Sequence, residues 1–173
     1  MLFRSAAHPE REIVVRGVGG DTIENILTRM DAAPEKDYAA VLLAVGINDG
    51  CYQPSGGRCR VLLADYEAGL RHYVDWARRA WPRARLAFIG LTRLDERYCA
   101  PIDIDTCYLN EYAERYDGVL RRVAADSGVD YLAVPPLNDQ DGLLPDGLHP
   151  NDAGHQRMYE VIEDGLRAAG LFA

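Results

Sequence analysis

Four short apolar runs limit what this chain can fold into: EIVVRG (12–17), AAVLLAVG (39–46), RLAFIGL (85–91) and DYLAVPPL (130–137). Between and beyond them lie longer stretches whose apolar residues recur every three or four positions. A strand that is apolar throughout is covered on both faces, and parallel strands need a long crossover, usually a helix. The pattern predicts an α/β domain, a parallel sheet held between helical layers. Ile23, Ile26, Leu27 and Met30 mark a first helix, with Asp21 or Thr22 as its cap. Tyr66, Leu70, Tyr73, Ala77 and Trp81 mark a second, ended by Pro82. Leu109, Tyr112, Tyr116, Val119, Leu120 and Val123 mark a third, ended by Ser127-Gly128. Asn151 caps a fourth that carries Met158, Ile162 and Leu166. A length of 173 residues without an internal repeat fits one domain spanning 1–173.

Charge and composition exclude several function classes. The net charge is −8 and the basic residues are dispersed, apart from Arg78, Arg79, Arg83 and Arg85 around Trp81. Nucleic acid and anionic membranes are therefore not expected partners, and the arginine group reads as the solvated end of a helix. No run approaches the roughly 18 apolar residues of a membrane-spanning helix, so the chain reads as soluble, with a cytoplasmic location favoured. Cys51, Cys59, Cys99 and Cys107 form two pairs with the same eight-residue offset. That is neither a CxxC nor a zinc-ribbon spacing, so no metal or cofactor is expected, and free thiols and two local disulfides both stay open.

Ligands of open α/β sheets bind outside the carboxyl ends of the strands, where four polar or glycine-containing segments fall. GVGGDT (17–22) is a strand-to-helix turn whose backbone N–H groups near Gly20 can face an anion. GINDG (46–50) places the Asn48 amide after a buried run, although Asn-Asp-Gly also serves simply as a turn. GLTRLDE (90–96) follows the third run. In DGLHPNDAGH (146–155), Asp146 precedes His149 by three positions and can orient it as a base. A phosphate-binding reading of GVGGDT is weaker, because the turn lacks the lysine of a P-loop and the spacing of GxGxxG. Taken together, amide donors for an oxyanion and an Asp-His dyad are most of the equipment for acyl transfer.

With VVRGVGGDTIENILTR, LLAVGINDG, FIGLTRLDE and DGLHPNDAGH in this order, the chain resembles the GDSL-type esterases and lipases known as SGNH hydrolases over nearly its whole length. The resemblance implies a flavodoxin-like, three-layer α/β/α sandwich acting as a serine hydrolase on a small-molecule ester, whether small-acyl, lipid-like or acetylated, without a cofactor. It implies His149 as general base, Asp146 as the carboxylate that orients it, and Gly20 and Asn48 as oxyanion-hole donors. Arg16 stands where relatives often carry asparagine.

The nucleophile is the main departure from the family pattern. The family's first block, a strand followed by GDSxT, should precede Gly20 by more residues than the chain has there. Of the three serines, Ser5 lacks a preceding strand and glycine turn, Ser55 lacks a strand-to-helix elbow, and Ser127 ends a helix at the opposite edge. The chain thus reads as N-terminally truncated, lacking the first, central strand, with its nucleophile expected before Met1. The alternative is an inactive truncated or pseudoenzyme domain that works as a non-catalytic binding module.

Other marked residues have ordinary roles available. Thr92, Asp95 and Glu96 either line a substrate pocket or hold their loop by local hydrogen bonds. Tyr98, Tyr108 and Tyr112 form an acyl pocket or pack. His155 packs or caps at the last helix, and its spacing from His149 matches no known zinc-ligand pattern.

Overall fold

A computed structural model describes residues 12–32, 36–137 and 142–170. Its central sheet contains three parallel strands, β1 (Ala40–Leu43), β4 (Arg85–Ile89) and β5 (Asp130–Leu132), side by side in that order. A two-residue antiparallel ribbon, β2 (Tyr52–Gln53) with β3 (Arg58–Cys59), stands apart from it. The helices are α1 (Ile23–Arg29), α2 (Leu63–Ala80), the short α3 (Glu96–Cys99), α4 (Asn110–Ser127) and α5 (Asp152–Ala168). This is the α/β class with a parallel sheet that the apolar runs predict.

Strand geometry sends successive side chains to opposite faces, and β4 shows the consequence. Leu86 and Phe88 join a core with Leu43, Leu70, Val74, Leu120 and Val123, which belongs to the α2 and α4 side. Ala87 and Ile89 face the other way, against Leu132, Ile162 and Leu166, which belongs to the α5 side. One strand that is buried on both faces therefore divides the domain into helix, sheet and helix layers.

The predicted helix boundaries hold where a side chain or backbone geometry fixes them. The Asn151 side chain accepts from Gly154 N–H at 2.9 Å, and Gly128 closes α4 with φ +60°. Around Thr22, Asn25 Oδ1 accepts from both the Thr22 N–H at 3.0 Å and its hydroxyl at 2.9 Å. The arginines near Trp81 serve the ends of other elements: Arg78 donates to the Ser127 carbonyl at the end of α4, and Arg85 bonds Asp130 and the Ala169 carbonyl.

The first predicted strand is corrected. Residues 12–17 are not strand, and β1 has β4 as its single hydrogen-bonded neighbour among the described residues. Val14, Val15 and Val18 are 41%, 56% and 58% exposed. The physical reason is that a strand is defined by pairing: extended apolar residues with no adjacent ladder stay single and leave their side chains in solvent. The last run also shortens to Asp130–Leu132, because Pro135 and Pro136 have no N–H to donate to a ladder. Ser5 lies outside the described residues.

Candidate active site

The loops at the carboxyl ends of β1 and β4 and the turn before α5 are linked by a continuous set of hydrogen bonds. In the 46–50 turn, Gly50 N–H returns to the Gly46 carbonyl at 2.9 Å, and the half-buried Asn48 projects between two partners. Its Nδ2 donates to the Asp21 carbonyl at 3.1 Å, and its Oδ1 accepts from the Tyr108 hydroxyl at 3.1 Å. The tyrosine thus fixes which way the amide faces, and Nδ2 keeps a second hydrogen for another acceptor. Gly20, two positions before Thr22, adopts φ +86°, the left-handed region that glycine reaches at no steric cost.

From Tyr108 the connection passes to α3 and then to the Asp146–His149 turn. Tyr108 N–H donates to the Cys99 carbonyl at 2.9 Å, the Cys99 thiol lies 3.5 Å from the Gly147 carbonyl, and Asp95 N–H donates to that carbonyl at 2.9 Å. Asp146 Oδ1 accepts from the N–H groups of Leu148 at 3.0 Å and His149 at 2.7 Å. Asp146 Oδ2 lies 2.8 Å from His149 Nδ1. Partial burial raises the Asp146 carboxyl, but the His149 backbone and ring and the Leu148 N–H outweigh it and bring it down to about 2. An ionised carboxylate only accepts, so Nδ1 carries the hydrogen and the imidazole lone pair is left on Nε2. No described residue engages Nε2, and the ring is 76% exposed. Such a dyad can take a proton from a hydroxyl that comes within hydrogen-bond reach of Nε2.

A pH effect follows, and its sign is fixed by the depressed carboxyl. A carboxyl held at about 2 in the fold, against an ordinary 3.8, adds stability that is present above pH 4 and lost as pH falls through 2. The urea midpoint of Asp146→Asn is therefore expected to lie below wild type at pH 6 and to approach it at pH 2. A constant gap across that range would show that the carboxylate is not held by these donors.

The remaining predicted residues divide clearly. Thr92 Oγ1 donates to the Pro135 carbonyl at 2.9 Å and accepts from Leu137 N–H at 3.0 Å. Asp95 caps α3 and pairs with Arg97, and Glu96 accepts from Asn110 N–H at 2.5 Å. Asp95 bonds locally, whereas Thr92 ties its loop to the segment after β5 and Glu96 ties α3 to the start of α4. Tyr112 stacks on Tyr52, Tyr108 is buried, and Tyr98 is exposed. Burial lowers the proton affinity of His155, whose Nδ1 is buried without a partner among the described residues. All four cysteines are free thiols. Tyr52 lies opposite both Cys59 and Cys107. Among the described residues no three His, Cys, Asp or Glu side chains gather as metal ligands, and no helix is long and apolar enough to cross a membrane. Sequence reasoning missed Tyr108 as the partner of Asn48, and it read Asp49 only as a turn former. Asp49 is fully buried, which its place in a polar turn gave no means of foreseeing.

The sequence model of the GDSL-like lipase/acylhydrolase family matches residues 3–157. The chain belongs to this family. At the family level it is therefore an ester hydrolase domain whose expected substrates are small-molecule esters. Solved structures show the same fold, the SGNH hydrolase fold. A GDSL-like lipase from Parabacteroides merdae is 17% identical, with a TM-score of 0.70 over 97% of this chain and 77% of that one. An acetylxylan esterase from Geobacillus stearothermophilus is 19% identical, with a TM-score of 0.70 over 94% of this chain and 76% of that one. A protein from Lactobacillus plantarum is 23% identical, with a TM-score of 0.65 over 86% and 77% of the two chains. No curated protein matches the chain by sequence.

Proposed function

We propose that this domain hydrolyses carboxylic esters by serine catalysis, with the nucleophile contributed by a segment that precedes Met1. The observation that carries the reading is the Asp146–His149 pair, joined through Gly147, Cys99 and Tyr108 to the oriented amide of Asn48. In the reaction, a serine Oγ bonds to the ester carbonyl carbon as its proton passes to His149 Nε2. The carbonyl electron pair moves to oxygen, where the Gly20 N–H and the free Asn48 N–H stabilise it. Collapse of this intermediate expels the alcohol, which takes the proton from the imidazolium. Water then repeats the sequence and releases the acid. Asp146 keeps Nδ1 protonated throughout and balances the imidazolium charge.

Two features support an additional strand as the source of the serine. The β1 edge away from β4 is unpaired among the described residues, and Val14, Val15 and Val18 are exposed. A parallel strand between them would cover both and end at the rim where Gly20 and Asn48 lie. Acetylated carbohydrate is one substrate class in keeping with the acetylxylan esterase of similar fold.

A second reading, a non-catalytic binding module, draws on the described serines. Ser55 sits in an exposed turn, its N–H donating to Asp105 at 2.8 Å. Ser127 ends α4, the end of the domain from which β5 starts. Neither hydroxyl bonds His149.

Fluorophosphonate labelling and p-nitrophenyl acetate cleavage separate the two readings, applied to the 173-residue protein and to one extended along its natural upstream reading frame. Serine catalysis predicts that the extended form is labelled on a serine before Met1 and cleaves the ester, while the 173-residue form does neither. No label and no cleavage in either form would favour the binding module, and a label on Ser55 or Ser127 would overturn the assigned position of the nucleophile.

A further inference from the structure

We propose that Asp49 is a positioning residue for the two oxyanion donors, its buried carboxylate tying the start of α1, and with it the Gly20 turn, to the loop that holds Asn48. The functional sense of this tie rests on the hydrolase reading above; its geometry does not.

The Gly20 turn needs such a tie. On its upstream side, residues 12–18 have no ladder partner among the described residues. Arg16 donates to the Ala32 carbonyl at 3.3 Å, and Asp21 pairs with Arg29, but both contacts return to the neighbourhood of α1 itself. Two bonds cross from this segment to the Asn48 loop: Asn48 Nδ2 to the Asp21 carbonyl, and Ile23 N–H to Asp49 Oδ1 at 2.8 Å. The second is buried and spans 26 residues of sequence. The Ile23 N–H is among the donors that a helix start leaves without an intrahelical partner. The Thr22 side chain engages Asn25 and leaves the Ile23 N–H to another partner. A carboxylate from another loop takes that place.

The way Asp49 is held also speaks for a role beyond packing. Its side chain is fully buried, and Oδ2 has no partner among the described residues. A buried carboxylate with one unpaired oxygen is costly, and an asparagine could accept the same Ile23 bond without that charge. Burial pushes the carboxyl up to about 6, against the pull of the Ile23, Asp49 and Gly46 N–H groups, with Glu24 adding to the rise. The titratable groups facing it are Glu24 on α1, Tyr66 on α2 and Tyr116 on α4. Protonation turns a charged acceptor into a neutral one and loosens the tie.

Nitrogen-15 NMR of the whole 173-residue protein tests this without ester cleavage, so its failure is distinct from failure of the hydrolase reading. The probes are the Gly20 backbone N–H and the Asn48 side-chain amide, followed from pH 4.5 to 8. In wild type both are expected to move through one shared step centred near pH 6. In Asp49→Asn, whose amide is a neutral acceptor like the protonated carboxyl, the step disappears and both signals stay near their low-pH wild-type positions. In Asp49→Ala both are displaced at neutral pH, and hydrogen exchange of the Asn48 amide rises several-fold. Tyr108→Phe should move the Asn48 signal and leave Gly20 in place. Gly20 and Asn48 signals unmoved in Asp49→Ala, with Ile23 shifted, would overturn the proposal. If Asp49→Ala does not fold, a wild-type step that persists in Asp49→Asn overturns it equally.

Discussion

Replacing His149 by alanine in the N-terminally extended protein is expected to lower kcat/KM for p-nitrophenyl acetate by about a thousandfold or more, the usual cost of removing the base of a serine triad. The expectation follows from the division of labour inside the turn. Asp146 Oδ1 accepts from the backbone N–H groups of Leu148 and residue 149, which alanine retains. Only the bond from Oδ2 to the ring is lost, and that ring is largely in solvent. The melting temperature should therefore stay within a few degrees of the parent. Residual cleavage should persist, because the Gly20 and Asn48 donors are untouched. Cleavage within tenfold of the parent would remove His149 from the mechanism.

Gly147→Ala should damage the same site through the backbone, costing about 2–5 kcal/mol of stability, the combined scale of a left-handed alanine and of forced overpacking. Gly147 has φ +82°, and a Cβ there would lie 2.3 Å from the Asp95 carbonyl oxygen and 3.2 Å from the Cys99 nitrogen. Both atoms are backbone, so neither can swing aside as a flexible side chain would. Relief requires moving the turn away from α3, which lengthens the Asp95 N–H bond to the Gly147 carbonyl and displaces Asp146 and His149 together. Urea denaturation measures the stability loss, and esterase activity of the extended form should fall with it. A loss under about 1 kcal/mol would contradict the close approach of this turn to α3.

The two substitutions differ in how far each was legible beforehand. His149 stands out in DGLHPNDAGH because an aspartate three positions earlier and a helix cap two positions later constrain what a histidine there can do. Gly147 looks like an ordinary turn glycine until α3 is seen against it. Asn48 was legible as a donor, but its orientation was not, since Tyr108, 60 residues away, sets it. Asp49 was the least legible, because the same tripeptide makes a solvated turn or a buried anchor depending on what packs over it.

The sequence by itself determined the alternation of β1, β4 and β5 with helices, the caps at Asn151 and Gly128, and the Asp146–His149 pairing. Each of these is written in residues within a few positions of one another, where hydrogen bonds and apolar periodicity act along the chain. Only the tertiary structure decided that residues 12–17 are not a strand, that Asp49 is buried beneath α1, and that Tyr108 and Cys99 join Asn48 to the Asp146–His149 turn. Those outcomes depend on partners tens of residues distant: a strand needs a neighbouring ladder, a carboxylate's environment is set by what covers it, and an amide's orientation by the donor it meets.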